Sequence, residues 1–247
     1  MSLRATIVIP VYEEGEDIGP FLDRLFESVT LPCEVRVVYD HLEDSTAPVL
    51  HAYAEHDDRV VPTLNRYGPG PANAIRCGID DALAEVVVVT MADGSDDPRQ
   101  IDDLVRLVER GVVVAAASRY MPGGQQVGGP LLKRLLSRLA GLTLHVLARV
   151  GTRDATNSFK AYRRDFVRTV GIDSRHGFEI GLELVVKAHR ARLPVAELPT
   201  IWLERQRGLS SFKVASWIPH YLRWYRLAFG RRLDLQQLAH RVQRITI

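Results

Sequence analysis

The segment MADGSDDP, residues 91–98, gathers four side chains suited to oxygen chemistry: Asp93, Ser95, Asp96 and Asp97. Carboxylate and hydroxyl oxygens fit a hard divalent cation such as Mg2+ or Mn2+, which could bridge to a diphosphate and neutralise it as it leaves. Asp97 stands directly before Pro98, the pattern of a helix N-cap followed by proline at the first helical position. Asp93 lies too far upstream to cap that helix and reads as a metal-site or phosphate-site residue. A second group is formed by Pro10, Tyr12 and Glu14 in PVYEEGEDI and by Asp40. An aromatic ring and a carboxylate at adjacent strand ends can stack on a base and accept its N–H groups, although turns and caps draw on the same residue types. The glycine-rich stretch 68–78, GPGPANAIRCG, follows no convincing strand and its spacing is not GxGxxG, which excludes a dinucleotide-binding dehydrogenase. Glu179 and Glu183, four apart in GFEIGLEL, share a helix face, and a solvated or packing role suits them at least as well as chemistry. None of the eight histidines has ligand spacing.

These residues need a scaffold. Segments 5–11, 34–40, 85–91 and 111–117 read as strands rich in Val and Ile and apolar on both faces, as a parallel sheet covered by helices demands. Between the last two, Ile101, Leu104, Val105 and Val108 recur at helical spacing. Such alternation gives an open doubly wound α/β sheet whose ligands bind beyond the carboxyl ends of the strands, here after Ile9, Tyr39 and Met91. The second half changes character: a glycine-rich loop, MPGGQQVGGP, leads into the apolar and basic helix LLKRLLSRLAGLTLHVLARV. The expected organisation is one continuous domain over 1–213, with a nucleotide-binding half at 1–120 and an acceptor-binding half at 121–213, followed by a tail at 214–247.

Composition bounds the function. With 247 residues, 46% of them apolar, the chain can bury a sizeable core, and no apolar run approaches a membrane-spanning length. The opening MSLRATIVIPVY reads as a buried strand and not as a signal peptide. Two cysteines, Cys33 and Cys77, make neither a disulfide framework nor a metal site, and a reducing cytoplasm is expected. The net charge of +2 divides unevenly: from Leu203 onward nine basic residues face two acidic ones, +7, so the remainder carries −5. Positive charge confined to the tail excludes an ordinary nucleic-acid binder. In that tail Trp217, Tyr221, Trp224, Tyr225 and Ala228 form one helical stripe beside Arg223, Arg226, Arg231 and Arg232. Two readings stay open: peripheral contact with a membrane through 214–232, or a helix packed onto the body or a partner subunit.

Taken in order, the segments resemble the family 2 glycosyltransferases of GT-A fold, and among them the polyprenyl-phosphate sugar synthases typified by dolichol-phosphate mannose synthase. IVIPVYEEGEDI is similar to the opening P-x-Y-N-E segment, and VVYDHLEDST to V-V-D-D-G-S-x-D-x-T. GPANAIRCGI, VVTMADGSDDP, ASRYMPGG, KRLLSRLAGL, DATNSFKAYRR, GFEIGLEL and ELPTIWLERQRGLSSFK continue the series over residues 4–213. The resemblance implies an inverting transferase that moves a sugar from a GDP- or UDP-sugar to a polyprenyl phosphate. It assigns Pro10, Tyr12, Glu14, Asp40, Ala72, Ala92 and Asp93 to the nucleotide sugar. Arg119, Lys133, Ser137 and Arg205 fall at positions that contact the donor diphosphate or the acceptor phosphate.

Several positions depart from the pattern. Met91 stands for the first Asp of D-x-D, Ser95 for Gln, and Ser211 for Lys, while Glu13, Tyr39, His41 and Leu42 replace Asn, Asp, Gly and Ser. The metal then rests on Asp93 with help from Ser95, and the nucleotide diphosphate must supply the remaining ligands. A lipid phosphate is already ionised near neutral pH, so its attack needs no general base, and charge neutralisation and alignment would carry the rate. Asp93 and Arg205 are then the expected catalytic groups. Were the acceptor a soluble or hydroxyl compound, a base would be required, and Asp154 is the candidate, although a loop residue bonded to its own backbone also fits it. A third reading is a nucleotide-sugar-binding partner protein with weakened catalysis, motivated by Met91 and Tyr39.

Overall fold

The computed structural model describes residues 2–204 and 214–243. In chain order the described elements are β1 (Ala5–Pro10), α1 (Ile18–Ser28), β2 (Cys33–Tyr39), α2 (Thr46–Ala54), β3 (Val60–Leu64), α3 (Pro71–Asp81), β4 (Val86–Val89), α4 (Ile101–Glu109) and β5 (Val114–Ser118). They continue with β6 (Gln125–Val127), α5 (Leu131–Leu147), β7 (Lys160–Arg163), α6 (Arg164–Val170), α7 (Glu179–Arg190), β8 (Val195–Pro199), β9 (Ile201–Leu203), α8 (Val214–Ala228) and α9 (Leu235–Gln243). Seven strands form one sheet in the order β3-β2-β1-β4-β7-β5-β8, and β6 pairs with β9 in a small parallel ribbon. Every pair in the large sheet is parallel except those of β7, which runs antiparallel to both β4 and β5.

The doubly wound α/β class is therefore present, and all four expected strands form. The fourth begins three residues later than expected, because Gly111 turns the chain at φ 110° before the strand starts. The sequence reading missed β3. Pro62 lies within it and argues against a strand, but β3 is the sheet edge, where a missing N–H is tolerated. The glycine-rich stretch 68–78 does follow a strand after all, and it opens α3 from Gly70 at φ 115°. The strands on either side of residue 120 share one sheet.

Apolar strands such as β1, buried at all six positions, serve two cores. One face of the sheet packs against α1, α2 and α4 through Leu22, Leu50 and Leu104. The other packs against α3, α6 and α7 through Ile75, Val167 and Leu184, and it extends to α8 through Trp224 and Ala228. The tail is thus docked on the body: Trp224 is 3% exposed, and Tyr225 donates its hydroxyl to Thr143 on α5 at 2.9 Å. Arg190 of α7 secures the end of α8 by donating to the carbonyls of Leu227, Phe229 and Arg231. Of the expected stripe, Tyr221, Trp224, Tyr225 and Ala228 belong to this packed face, and the side chain of Trp217 lies outside the described residues.

Helix α5 crosses the loop before β7 at Gly141, where a Cβ would occupy the space of the Arg153 carbonyl oxygen. No rotamer change relieves a clash with backbone. The substitution Gly141→Ala is expected to cost about 1–3 kcal/mol, measured as a lower urea midpoint at unchanged slope for the full chain.

Candidate active site

The carboxyl ends of β1, β2, β4 and β5 lie along one edge of the sheet, and the reversed β7 starts there. The loop after β4 is compact. Asp93 is half-buried, and its Oδ1 accepts the Ser95 N–H at 3.0 Å, with no partner for Oδ2 among the described residues. Ser95 is buried, and its carbonyl accepts the Leu203 N–H at 3.1 Å, which ties the loop to β9. Asp96 is buried behind them and accepts from the Thr90 hydroxyl at 3.1 Å and the Met91 N–H at 3.3 Å. Burial, reinforced by repulsion from Asp93, pushes its pKa from 3.8 up to about 7, against those hydrogen bonds. Asp97 caps the turn at Pro98 by accepting the Arg99 N–H at 3.1 Å, as the sequence suggests. Asp93 and Ser95 offer hard oxygen donors, while the Met91 thioether offers none. The set fits Mg2+ or Mn2+ where a diphosphate completes the coordination.

At the ends of β1 and β2, Pro10 is buried and Tyr12 is 65% exposed, with its ring set edge-on to His41 at 6.0 Å. Asp40 is more engaged than its expected contact with a base requires. Its two oxygens accept from Asn65 Nδ2 and the Gly70 N–H, both at 2.8 Å, fixing the loop that opens α3. Each oxygen keeps capacity for a further donor. Glu14 donates its N–H to the Thr46 hydroxyl at 3.0 Å, Ala72 is fully buried in the first turn of α3, and Ala92 is half-buried. Sequence reasoning did not foresee that Glu13, His41 and Asp44 offer ligand atoms all within 4.8 Å of one another. Its signal was the pair of departures at Glu13 and His41. This grouping follows β1 and β2 and does not lie in the Asp93 loop.

Arg119 follows β5 and anchors the third group. Its Nε donates to Asp154 Oδ2 at 2.7 Å, its Nη2 to Oδ1 at 2.9 Å, and its backbone N–H to Oδ2 at 3.0 Å. The same Nη2 reaches Ser137 Oγ at 3.3 Å, and Ser137 shares a 2.7 Å hydrogen bond with Thr156. Tyr120 donates to Ser137 at 3.0 Å, and Trp202 lies 6.0 Å from the guanidinium. Burial alone would raise the Asp154 carboxyl, but Arg119, with help from Lys160, outweighs it and the pKa is lowered. A fully buried carboxylate held at two points by arginine, with a depressed pKa, orients a cation and is a poor proton acceptor, which argues against Asp154 as a general base. Lys160, unforeseen because a lysine opening a short mixed strand reads as a surface charge, is fully buried and donates to the carbonyls of Ala155 and Asn157. Burial lowers its pKa to about 7 despite the attraction of Asp154. Ser137 thus joins Arg119, whereas Arg205 and the side chain of Lys133 lie outside the described residues.

With this geometry in place, three comparisons are informative. The family model described as glycosyl transferase family 2 matches residues 6–171. The chain is 29% identical over 231 residues to a polyprenol monophosphomannose synthase of Mycolicibacterium smegmatis, covering 87% of this chain and 86% of that one. It is 28% identical to an undecaprenyl-phosphate mannosyltransferase of Micrococcus luteus, covering 90% and 94%. In fold it is similar to glucosyl-3-phosphoglycerate synthase from Mycobacterium tuberculosis, solved with Mn2+, UDP and glucosyl-3-phosphoglycerate, at a TM-score of 0.67 and 15% identity over 92% of this chain and 80% of that one.

Asp96 provides a pH test. Its folded pKa lies above its unfolded value, so the native state holds the proton more tightly, and the stabilisation is full below pH 3.8 and lost as pH rises to about 7. In EDTA, the wild type is expected to lose stability between pH 4 and 7 relative to Asp96→Asn, whose amide still accepts from Thr90 and Met91. Parallel profiles from denaturant titrations would contradict this assignment.

Proposed function

The chain belongs to glycosyl transferase family 2, and from that premise we propose that it transfers mannose, with inversion, from a nucleoside-diphosphate sugar to a polyprenyl phosphate. The observation that carries the acceptor assignment is the relation between the two sides of α5. Its inner side presents Ser137 to Arg119, which Asp154 holds in a fixed plane. Its outer side exposes Leu131, Leu132, Leu135, Leu136, Leu139, Leu142, Val146 and Leu147, at 40–71% each. A phosphate on a long apolar chain matches both sides at once.

In this reading Pro10, Tyr12, Glu14, Asp40, Ala72 and Ala92 receive the nucleoside, with GDP- and UDP-sugars both candidates. Asp93 and Ser95 hold a divalent cation, which when bound neutralises the donor diphosphate. Arg119 and Ser137 bind the acceptor phosphate, joined by Lys133 and Arg205. A phosphate oxygen forms a bond to the anomeric carbon as the carbon–oxygen bond to the diphosphate breaks, and the electron pair leaves with the nucleoside diphosphate. The attacking oxygen is already ionised, so no residue has to take a proton, consistent with a buried, paired Asp154.

The same surface places the enzyme peripherally at a membrane. No helix among the described residues is long and apolar enough to cross a bilayer. Contact through α5, flanked by Arg134 and Arg138, fits better than contact through the aromatic face of α8, which is packed on the body. Cys33 and Cys77, both buried and unpaired, accord with the cytoplasmic side.

Two measurements test the proposal. Purified full-length chain with Mn2+, GDP- or UDP-mannose and a short polyprenyl phosphate is expected to form the inverted sugar-phosphate lipid, and Arg119→Lys, which loses the two-point geometry, is expected to lower kcat/KM roughly 10- to 100-fold. Transfer to no phosphate acceptor with either donor, or equal transfer to the free alcohol, would sink the assignment. The double variant Leu135→Glu, Leu139→Glu is expected to abolish sedimentation with anionic vesicles while leaving activity on a water-soluble short-chain acceptor within about threefold, since both side chains face away from Arg119. Retained vesicle binding would remove α5 from the membrane contact.

A further inference from the structure

Glu179 and Glu183 share one face of α7, and the structure gives them different lives. Glu183 is fully engaged: its oxygens accept from the Asp173 N–H at 2.7 Å, the Ser174 N–H at 2.8 Å and Lys187 Nζ at 2.5 Å. Glu179 opens the same helix and is 1% exposed. Its Oε1 accepts the His176 N–H at 3.1 Å, but its Oε2 is buried with no hydrogen-bond partner. An acceptor withheld from both water and protein is costly, and folded proteins keep such an atom mainly where something else completes it.

Two contacts say what lies around it. The His176 carbonyl oxygen is 4.0 Å from where a Cβ on Gly70 would stand, so the turn leading into Glu179 borders the loop that Asp40 fixes. Gly181, two residues further on, would place a Cβ 3.0 Å from the Asn157 carbonyl oxygen, so the first turn of α7 rests on the segment carrying Asp154 and Thr156. Tyr221 of α8 is partly buried against the same core, and burial raises its pKa first, with Glu179 adding to the rise and Arg119 opposing it. Glu179 thus lies between the loop assigned to the nucleoside and the cradle assigned to the acceptor phosphate. In a transfer from one to the other, the sugar occupies that interval.

We infer that Glu179 Oε2 accepts hydrogen bonds from hydroxyls of the transferred sugar and so determines which sugar is taken. This rests on the transferase reading above. An ionised carboxylate is an acceptor only, which suits the hydroxyl donors of a hexose, and a site built around one such bond discriminates strongly against a sugar whose hydroxyl is absent or misplaced.

The variant Glu179→Gln is nearly isosteric and keeps a carbonyl oxygen for the His176 N–H while turning the free acceptor into a donor. Calorimetry on the full chain with Mn2+ compares the nucleoside diphosphate, the mannosyl nucleotide and its singly deoxygenated analogues. The variant is expected to bind the nucleoside diphosphate within about twofold of wild type and to lose roughly 10- to 100-fold in affinity for the mannosyl nucleotide. One deoxy analogue is expected to show the same loss on wild type and no further loss on the variant, a coupling that a merely structural glutamate would not produce. Equal losses for diphosphate and sugar nucleotide, or deoxy effects that simply add, would overturn the role of Glu179 and leave the transferase reading standing. A wild type that binds neither the diphosphate nor its sugar derivative would overturn both. Should Glu179→Gln fold poorly, Glu179→Asp, which keeps the charge but withdraws it, is expected to show the same split.

Discussion

A guanidinium buried to the degree of Arg119 has to be paired, because the loss of hydration on both partners is recovered only when geometry and hydrogen bonding are complete. Asp154 supplies that completion at both of its oxygens, and removing either partner would strand a charge at a cost of about 3–5 kcal/mol. The consequences spread outward. A pair locked in one plane leaves Nη2 facing Ser137, and Ser137 in turn bonds Thr156, two residues past Asp154. The loop, the arginine and α5 therefore settle as a unit. Lys160 closes the arrangement from behind by gathering the loop carbonyls of Ala155 and Asn157.

The unit can form at the carboxyl edge of the sheet only because β7 runs against its neighbours. In a fully parallel sheet the segment entering a strand lies at the opposite edge from the loops that leave the others. Here Lys160, the first residue of β7, pairs with Val89, the last of β4. The residues entering β7 thus stand beside the acidic loop that follows β4 and the arginine that follows β5. One reversed strand thus brings the loop that carries Asp154 to the same edge of the sheet as the Asp93 loop and Arg119.

Much of this was legible in the sequence where the signal was local or periodic. Strands apolar on both faces announced a covered sheet, the Asp97–Pro98 pair announced a cap, and the acidic run was correctly placed at the carboxyl end of β4. What was not legible depended on edge position, burial or pairing. Pro62 masks a strand unless that strand is known to be at the edge. Lys160 reads as a surface charge until the antiparallel register buries it. Asp154 was named from its motif, but its role turns on whether its oxygens are already taken, and no spacing reveals that. Glu179 and Glu183 are indistinguishable as an i, i+4 pair, and only their partners separate them.

The tail shows the same limit from the other side. An aromatic and basic stripe carries two messages, since Trp and Tyr present an apolar body and a polar tip that suit a bilayer interface and a protein contact equally. What decides is whether a partner for the polar tip exists within the chain. Tyr225 has one in Thr143, and Trp224 lies against the core with Lys187 Nζ 5.5 Å from its ring. The leucines on the outer side of α5 have no polar tip to satisfy and remain exposed together, while Leu144 on the inner side is buried in the core. Docking α8 also braces α5, because the Tyr225 hydroxyl grips the helix one turn from Leu139 and Leu147 alike. By holding α5 in place, the tail keeps the helix's apolar outer surface in a fixed relation to Arg119 and Ser137 on its inner one.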